Sequence, residues 1–380
     1  MRPIFIIVLG FILRVLHGAV ISIRGAEGDM ELDAESMYYM MRDVVRSGRP
    51  VEYSYGVDFH VNSSAKFLAF IGDDVFWACF LPAFYWLVGG VFFLKSLELL
   101  KPSTRDRMII VLLYALLPGC FYFTSIPLRE SMQLMGVNVA VWGAMQVVVR
   151  SNPLGWLFLV AGSVIAALLH GALAVVGLVL VVGTFTLQPM IRNQKLTGPR
   201  QFMILVMAII LMPFAFSGLK LVGYNVEDGA LDAAAQYQVG GLSEEARSNY
   251  KQTDAAGGVV ANTVLVPVSL IQYLAEPMPW RIATASDLYL FMENILRLLC
   301  LLISVRIWQK SNGRESYLQG SLVIIYMVHE TIWALGTVNW GTAIRHHVPI
   351  TGVQLLMVAR FSILQKEKTA LRKNNLAPVA

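Results

Sequence analysis

The sequence predicts an all-α, polytopic transmembrane helical bundle forming one integral membrane domain over residues 1–380. Three observations carry that expectation. Apolar residues make up 56% of the chain and charged residues only 14%, against roughly 25% charge in an average soluble domain. Apolar runs of about 20 residues, enough to carry a helix across a ~30 Å hydrocarbon core, recur from end to end. The basic residues fall in alternate connections. Backbone in lipid must be bonded internally, and these runs lack the alternation of barrel strands, which leaves helices.

Ten spans are expected, at 3–23, 76–95, 108–126, 131–149, 154–169, 172–188, 202–219, 288–308, 318–337 and 347–364. The first, from Pro3 to Ile23, is longer than a signal-peptide core and lacks a small-residue cleavage site, so it reads as a retained span. Between the fifth and sixth, His170-Gly171 interrupts 34 apolar residues, which form either a tight hairpin or one tilted helix with a re-entrant piece. Charges within spans need partners. Glu293 and Arg297 have the i,i+4 spacing to pair on one helix face, and Arg14, His17, His329 and Glu330 are expected to face the bundle interior.

Orientation follows from the short connections. Lys101, Arg105 and Arg107 follow the second span, Arg150 the fourth, Arg192, Lys195 and Arg200 the sixth, and Arg306, Lys310 and Arg314 the eighth. Lys366, Lys368, Arg372 and Lys373 follow the tenth, in a basic tail over 365–380. The positive-inside rule makes this side cytoplasmic and puts both termini on it, as expected for a bacterial inner-membrane protein. The two long loops, 24–75 and 220–287, are richer in acid than in base and lie on the opposite, periplasmic face, where function is expected. In the first, Asp33 to Val45 reads as an amphipathic interfacial helix, and 65–71 as another. In the second, 225–258 is polar and Gly/Ala-rich, and 259–280 turns back toward the bilayer.

Composition also excludes. The net charge of +5 is dispersed between spans rather than gathered in a patch with aromatics, so no nucleic-acid partner is expected. Cys79, Cys120 and Cys300 lie in apolar segments and read as small buried hydrophobes. No Walker loop, dinucleotide fingerprint, HExxH or GxSxG stands in a supporting context.

Four features have the composition of a site. Glu27, Asp29, Glu31, Asp33 and Glu35 crowd together after the first span; mutual repulsion raises carboxylate pKa values and suits one of them to be a general base, the alternative being a solvated acidic turn. Pro127-Leu128-Arg129-Glu130 places a charged pair in the outer hairpin of the third and fourth spans. Asn339 to Pro349 carries Arg345, His346 and His347, three potential cations in an outer turn, suited to a lipid phosphate. Glu276-Pro277-Met278-Pro279-Trp280-Arg281 is a two-proline turn with an interfacial tryptophan and a cation.

Taken together these segments resemble the GT-C superfamily of membrane glycosyltransferases, particularly the bacterial family-39-like enzymes that use polyprenyl-phosphate sugars. The likeness lies in Asp33-Ala34-Glu35-Ser36-Met37-Tyr38 running to Gly48, in Phe123 to Glu130, in Glu276 to Trp280 and in Gly341 to Pro349. It departs where relatives carry Arg-Pro and this chain has His170-Gly171, in the absence of a large soluble C-terminal domain, and in an Asp33-to-Tyr38 spacing one residue longer than usual.

The resemblance implies inverting sugar transfer from a polyprenyl-phosphate donor to an acceptor hydroxyl on a glycolipid, polysaccharide or protein. Asp33, with Glu35 or Glu31 as alternates, would take the acceptor proton. Arg345, His346, His347, Arg129 and Arg281 would hold the donor phosphate, and Tyr38, Glu130 and Trp280 would line the substrate site. No cofactor beyond the lipid-linked donor is required, and the scattered carboxylates neither support nor exclude a divalent metal. Expected partners are membrane lipid, the lipid-linked sugar, the acceptor and polysaccharide-assembly proteins. Three alternatives stand beside this one: a polymerase joining lipid-linked repeat units; a lipid-linked sugar flippase, which should show paired repeats and broken helices near the midplane, whereas no internal repeat is evident and the candidate residues gather at one interface; and a scaffold in envelope-polysaccharide assembly.

Overall fold

The computed structural model describes residues 2–26, 30–52, 55–191, 248–249 and 259–360. The expected seventh span, residues 27–29, most of the second long loop and the basic tail lie outside the described residues. Among those described every regular element is helical: α1 Pro3–Arg24, α2 Leu32–Ser47, α3 Tyr55–Ile71, α4 Val75–Leu100, α5 Thr104–Leu116, α6 Pro118–Phe123, α7 Glu130–Arg150, α8 Gly155–Leu169 and α9 Gly171–Ile191, then α10 Val259–Ala275, α11 Ala285–Lys310, α12 Arg314–Gly336, α13 Trp340–His347 and α14 Thr351–Met357. Of these, 6 are long and apolar enough to cross a membrane: α1, α4, α7, α9, α11 and α12.

Where the expected spans differ, proline and helix length are the cause. The run 108–126 is divided, because Pro118 has no N–H to continue α5 and starts the short α6 instead. The N-terminus so created is capped from another helix: Glu293 Oε2 accepts the Gly119 N–H at 2.8 Å, and Glu293 pairs with Arg297 as its spacing predicts. The run from 347 begins with a 3-10 turn at Val348–Ile350 around Pro349, followed by the seven residues of α14, rather than one continuous helix. The span at 154–169 is α8, of 15 residues. At His170 the chain turns through an extended residue (φ −162°, ψ 128°). The Trp156 and Phe185 rings then meet at 6.3 Å, so α8 and α9 form the antiparallel hairpin, the first of the two alternatives.

Small residues set the tightest packing. A Cβ on Gly162 of α8 would lie 2.5 Å from the Ala140 nitrogen and 2.5 Å from the Gly136 oxygen of α7, so these helices touch backbone to backbone. The bundle has a large apolar core that also encloses charged side chains, and large apolar side chains face outward as well. On α1, Phe5, Leu9, Ile12 and Leu16 face outward while Arg14 is fully buried. Arg14 Nε donates to Thr124 Oγ1 at 2.7 Å and Nη1 to the Gly10 and Ala115 carbonyls, with the guanidinium 3.7 Å from the Trp86 ring centre. His329 and Glu330 are fully buried as expected, whereas His17 is half-buried beside the Phe121 and Tyr122 rings.

The two ends of the bundle differ in charge. At one, Arg314 donates to the Val149 carbonyl at the end of α7, and Arg360 donates to the Leu100 carbonyl at the end of α4 and pairs with Glu315. The other end gathers α2, the starts of α4 and α7, the α8–α9 junction and α13. The described residues of all four site features belong to this second end, with Glu31, Asp33, Glu130 and Arg345 in contact and Arg281 over the Trp340 ring.

Candidate functional site

Asn339 starts α13 by accepting the Thr342 N–H at 2.7 Å, and this short helix carries Arg345 to the N-terminus of α7. There the guanidinium meets carboxylates from two other segments. Arg345 Nε and Nη2 donate to Glu130 Oε1 at 3.0 and 2.9 Å, and Nη1 donates to Glu31 Oε1 at 3.3 Å and to Asp33 Oδ2. Glu31 and Asp33 stand at the N-cap and first turn of α2 and Glu130 at the first position of α7, where helix dipoles favour negative charge. Exposure is graded across the cluster: the Glu130 side chain is 4% exposed, Arg345 9%, Glu31 35% and Asp33 62%.

Electrostatics follow from that gradient. Burial alone would lower the Arg345 pKa, but Glu130, Glu31 and Asp33 together hold it protonated above its ordinary range. For Glu31, burial raises the pKa, Arg345 opposes this, and Glu130 and Asp33 add to the rise. Glu31 Oε2 has no hydrogen-bond partner among the described residues. It lines a groove of about 890 Å³ between α1, α5–α6, α11 and α13, whose walls include Leu13, Leu116, Phe121, Tyr289 and Ile344.

The other expected residues divide. His346 lies flat against Trp333 at 3.6 Å and bonds Thr337 Oγ1 at 2.9 Å; burial pushes its pKa well below the ordinary value, which disfavours the cationic form. His347 Nδ1 sits 2.7 Å from Glu330 Oε2. Arg281 is held by Glu276 at 3.1 Å and by the Asn249 carbonyl at 2.6 Å, and Trp280 is 80% exposed. Tyr38 is buried and donates to the Asp73 carbonyl at 3.2 Å, anchoring α2 to the start of α4 away from the carboxylate cluster. Glu35 is half-buried one turn beyond Glu31. Arg129 donates to the Leu169 carbonyl at 3.3 Å, and among the described residues no carboxylate is within ion-pair distance of it.

Sequence reading missed His60, fully buried one turn beyond Gly56 on α3, whose position against Leu169 and Arg129 brings this helix to the site. It missed Trp333 and the place of His170 beside it, 4.3 Å between rings. Isolated aromatic and histidine residues in apolar helices carry no periodic signal. Among the described residues no group of three His, Cys, Asp or Glu side chains is arranged to hold a metal, and a guanidinium occupies the centre of the carboxylate trio. No protein family, characterised protein or solved structure matches this chain.

Proposed function

We propose that this chain is an inverting membrane glycosyltransferase, which moves a sugar from a polyprenyl-phosphate donor to an acceptor hydroxyl at the periplasmic face of a bacterial inner membrane, with both termini cytoplasmic. One observation carries the reading. A carboxylate with a raised pKa and a free oxygen, Glu31, lines a groove among apolar helices and is held in place by Arg345.

In this reading Glu31 takes the acceptor proton as the new bond to the anomeric carbon forms and the bond to the phosphate oxygen breaks. Glu31 is less exposed than Asp33 and lines the groove, as Asp33 and Glu35 do not, which favours Glu31 as the base. The Arg345 donors are engaged by carboxylates, which makes it a positioning residue. Negative charge on the departing phosphate falls to Arg129, which has no carboxylate within ion-pair distance among the described residues and which stands at the α7 N-terminus.

The test is transfer of labelled sugar from polyprenyl phosphate to extracted lipid and glycan acceptors by the purified protein in proteoliposomes. Glu31→Gln should lower transfer by about 10²–10⁴-fold at unchanged protein level. Full activity in that variant removes Glu31 as base. Turnover only with pyrophosphate-linked repeat units makes the protein a polymerase, and movement of label across the bilayer without transfer makes it a flippase.

A further inference from the structure

The groove beside Glu31 combines apolar walls with a few polar groups. Its walls are apolar and aromatic, and Leu116 of α5, one of the lining residues, is 47% exposed. Glu31, Ser286 and Gly341 contribute polar groups to its lining, and among the described residues no lysine, arginine or histidine lines it. At Glu31, three carboxylates share the single guanidinium of Arg345.

We propose that the groove holds the acceptor, a lipid whose uncharged, hydroxyl-bearing head meets Glu31, and not the phosphate-linked donor. This rests on the glycosyl-transfer reading above and adds the class of acceptor to it. The argument is charge complementarity. A phosphate beside Glu31 adds a further negative charge next to a cluster of three carboxylates on one guanidinium, and finds no cation among the described residues that line the groove. A hydroxyl at the Glu31 carboxylate is a donor where the acid has an oxygen, the buried Oε2, without a hydrogen-bond partner among the described residues. The volume of about 890 Å³ accommodates a head and the first part of a chain, with the remainder in the bilayer. The chemistry balances: the hydroxyl proton passes to Glu31, its oxygen bonds the anomeric carbon, and the sugar–phosphate bond breaks to release polyprenyl phosphate.

The other cavity of note, about 200 Å³ between α7, α9 and α12 near the basic end, is lined by no charged residue and offers no comparable partner for a head group.

The experiment uses two photoactivatable probes of equal chain length, a diazirine-bearing fatty alcohol and the matching alkyl phosphate, with the full-length protein in nanodiscs and cross-links mapped by mass spectrometry. The alcohol should label α5, α6 and α11, with the phosphate labelling them about tenfold less. Leu116→Trp, at an exposed position that tolerates bulk, should cut alcohol labelling by a similar factor. Glu31→Gln should raise labelling by the phosphate. Equal or stronger labelling by the phosphate in the unaltered protein assigns the groove to the donor and overturns the proposal. Labelling indifferent to Leu116→Trp marks surface lipid only and also overturns it. These readouts do not depend on turnover: selective alcohol labelling in a protein that transfers no sugar keeps the hydroxyl-lipid site and removes the transferase reading.

Discussion

Glu130 and Arg345, 215 residues apart in the chain, are joined by two hydrogen bonds to one carboxylate oxygen, at 3.0 and 2.9 Å, with both side chains nearly out of solvent. A buried pair of this kind contributes little net stability when intact, because desolvation offsets attraction, yet removing one partner strands the other. Glu130→Ala is therefore expected to destabilise the protein, by less than the about 3–5 kcal/mol of a fully stranded charge, because Arg345 keeps Glu31 and Asp33 as partners. Glu130→Gln, which keeps an acceptor for Arg345, should cost less. Unfolding of detergent-purified protein measures both, and a cost for Glu130→Ala below that of a surface substitution would show the pair to be idle.

The raised pKa of Glu31 makes a prediction with a definite sign. A base works ionised, so transfer should fall as pH drops through that raised value, on an acidic limb above the position of an exposed glutamate. Asp33→Asn removes a negative neighbour that raises the pKa and should move the limb to lower pH. Arg345→Gln removes the cation that lowers it and should move the limb to higher pH. A pH–rate profile that stays in place in both variants excludes Glu31 as the titrating base.

Backbone contact between α7 and α8 predicts that Gly162 tolerates no side chain. Gly162→Leu should force the helices apart and cost at least the ~1–3 kcal/mol typical of overpacking. The control is Gly183→Leu, where an added Cβ meets nothing within 4 Å. Comparable stability of the two variants would contradict the close packing.

Topology is open to direct measurement. Reporter fusions at Ser103 and Asn193 are expected to read as cytoplasmic and a fusion at Gly229 as periplasmic. An external Ser103 reverses the orientation and moves the carboxylate cluster to the cytoplasmic face.

Particular residues show how far the sequence could be read. The Glu293–Arg297 pair was legible because both partners lie on one helix at i,i+4. The burial of Arg14 and Glu330 was legible because lipid leaves a charged side chain only the interior. The Pro118 break was present in the sequence but hidden by hydropathy, which averages over a proline that ends a helix without making the segment polar. His60 and Trp333 left no signal, since their importance lies in neighbours from other helices.

The sequence by itself determined the class of solvent, the helical form, the alternation of basic connections and the segments rich in candidate chemistry. These follow from local properties, because hydropathy, charge and capping act over a few turns of one chain. Only the tertiary structure decided which of those segments meet and what each does there. It placed the Arg345 guanidinium among Glu31, Asp33 and Glu130, left Arg129 with no ion-paired carboxylate among the described residues, and buried the His346 ring against Trp333. The reason is physical. A charged side chain takes its role from the partner that neutralises it, and Arg345 finds partners 215, 312 and 314 residues away, at separations that no local pattern records.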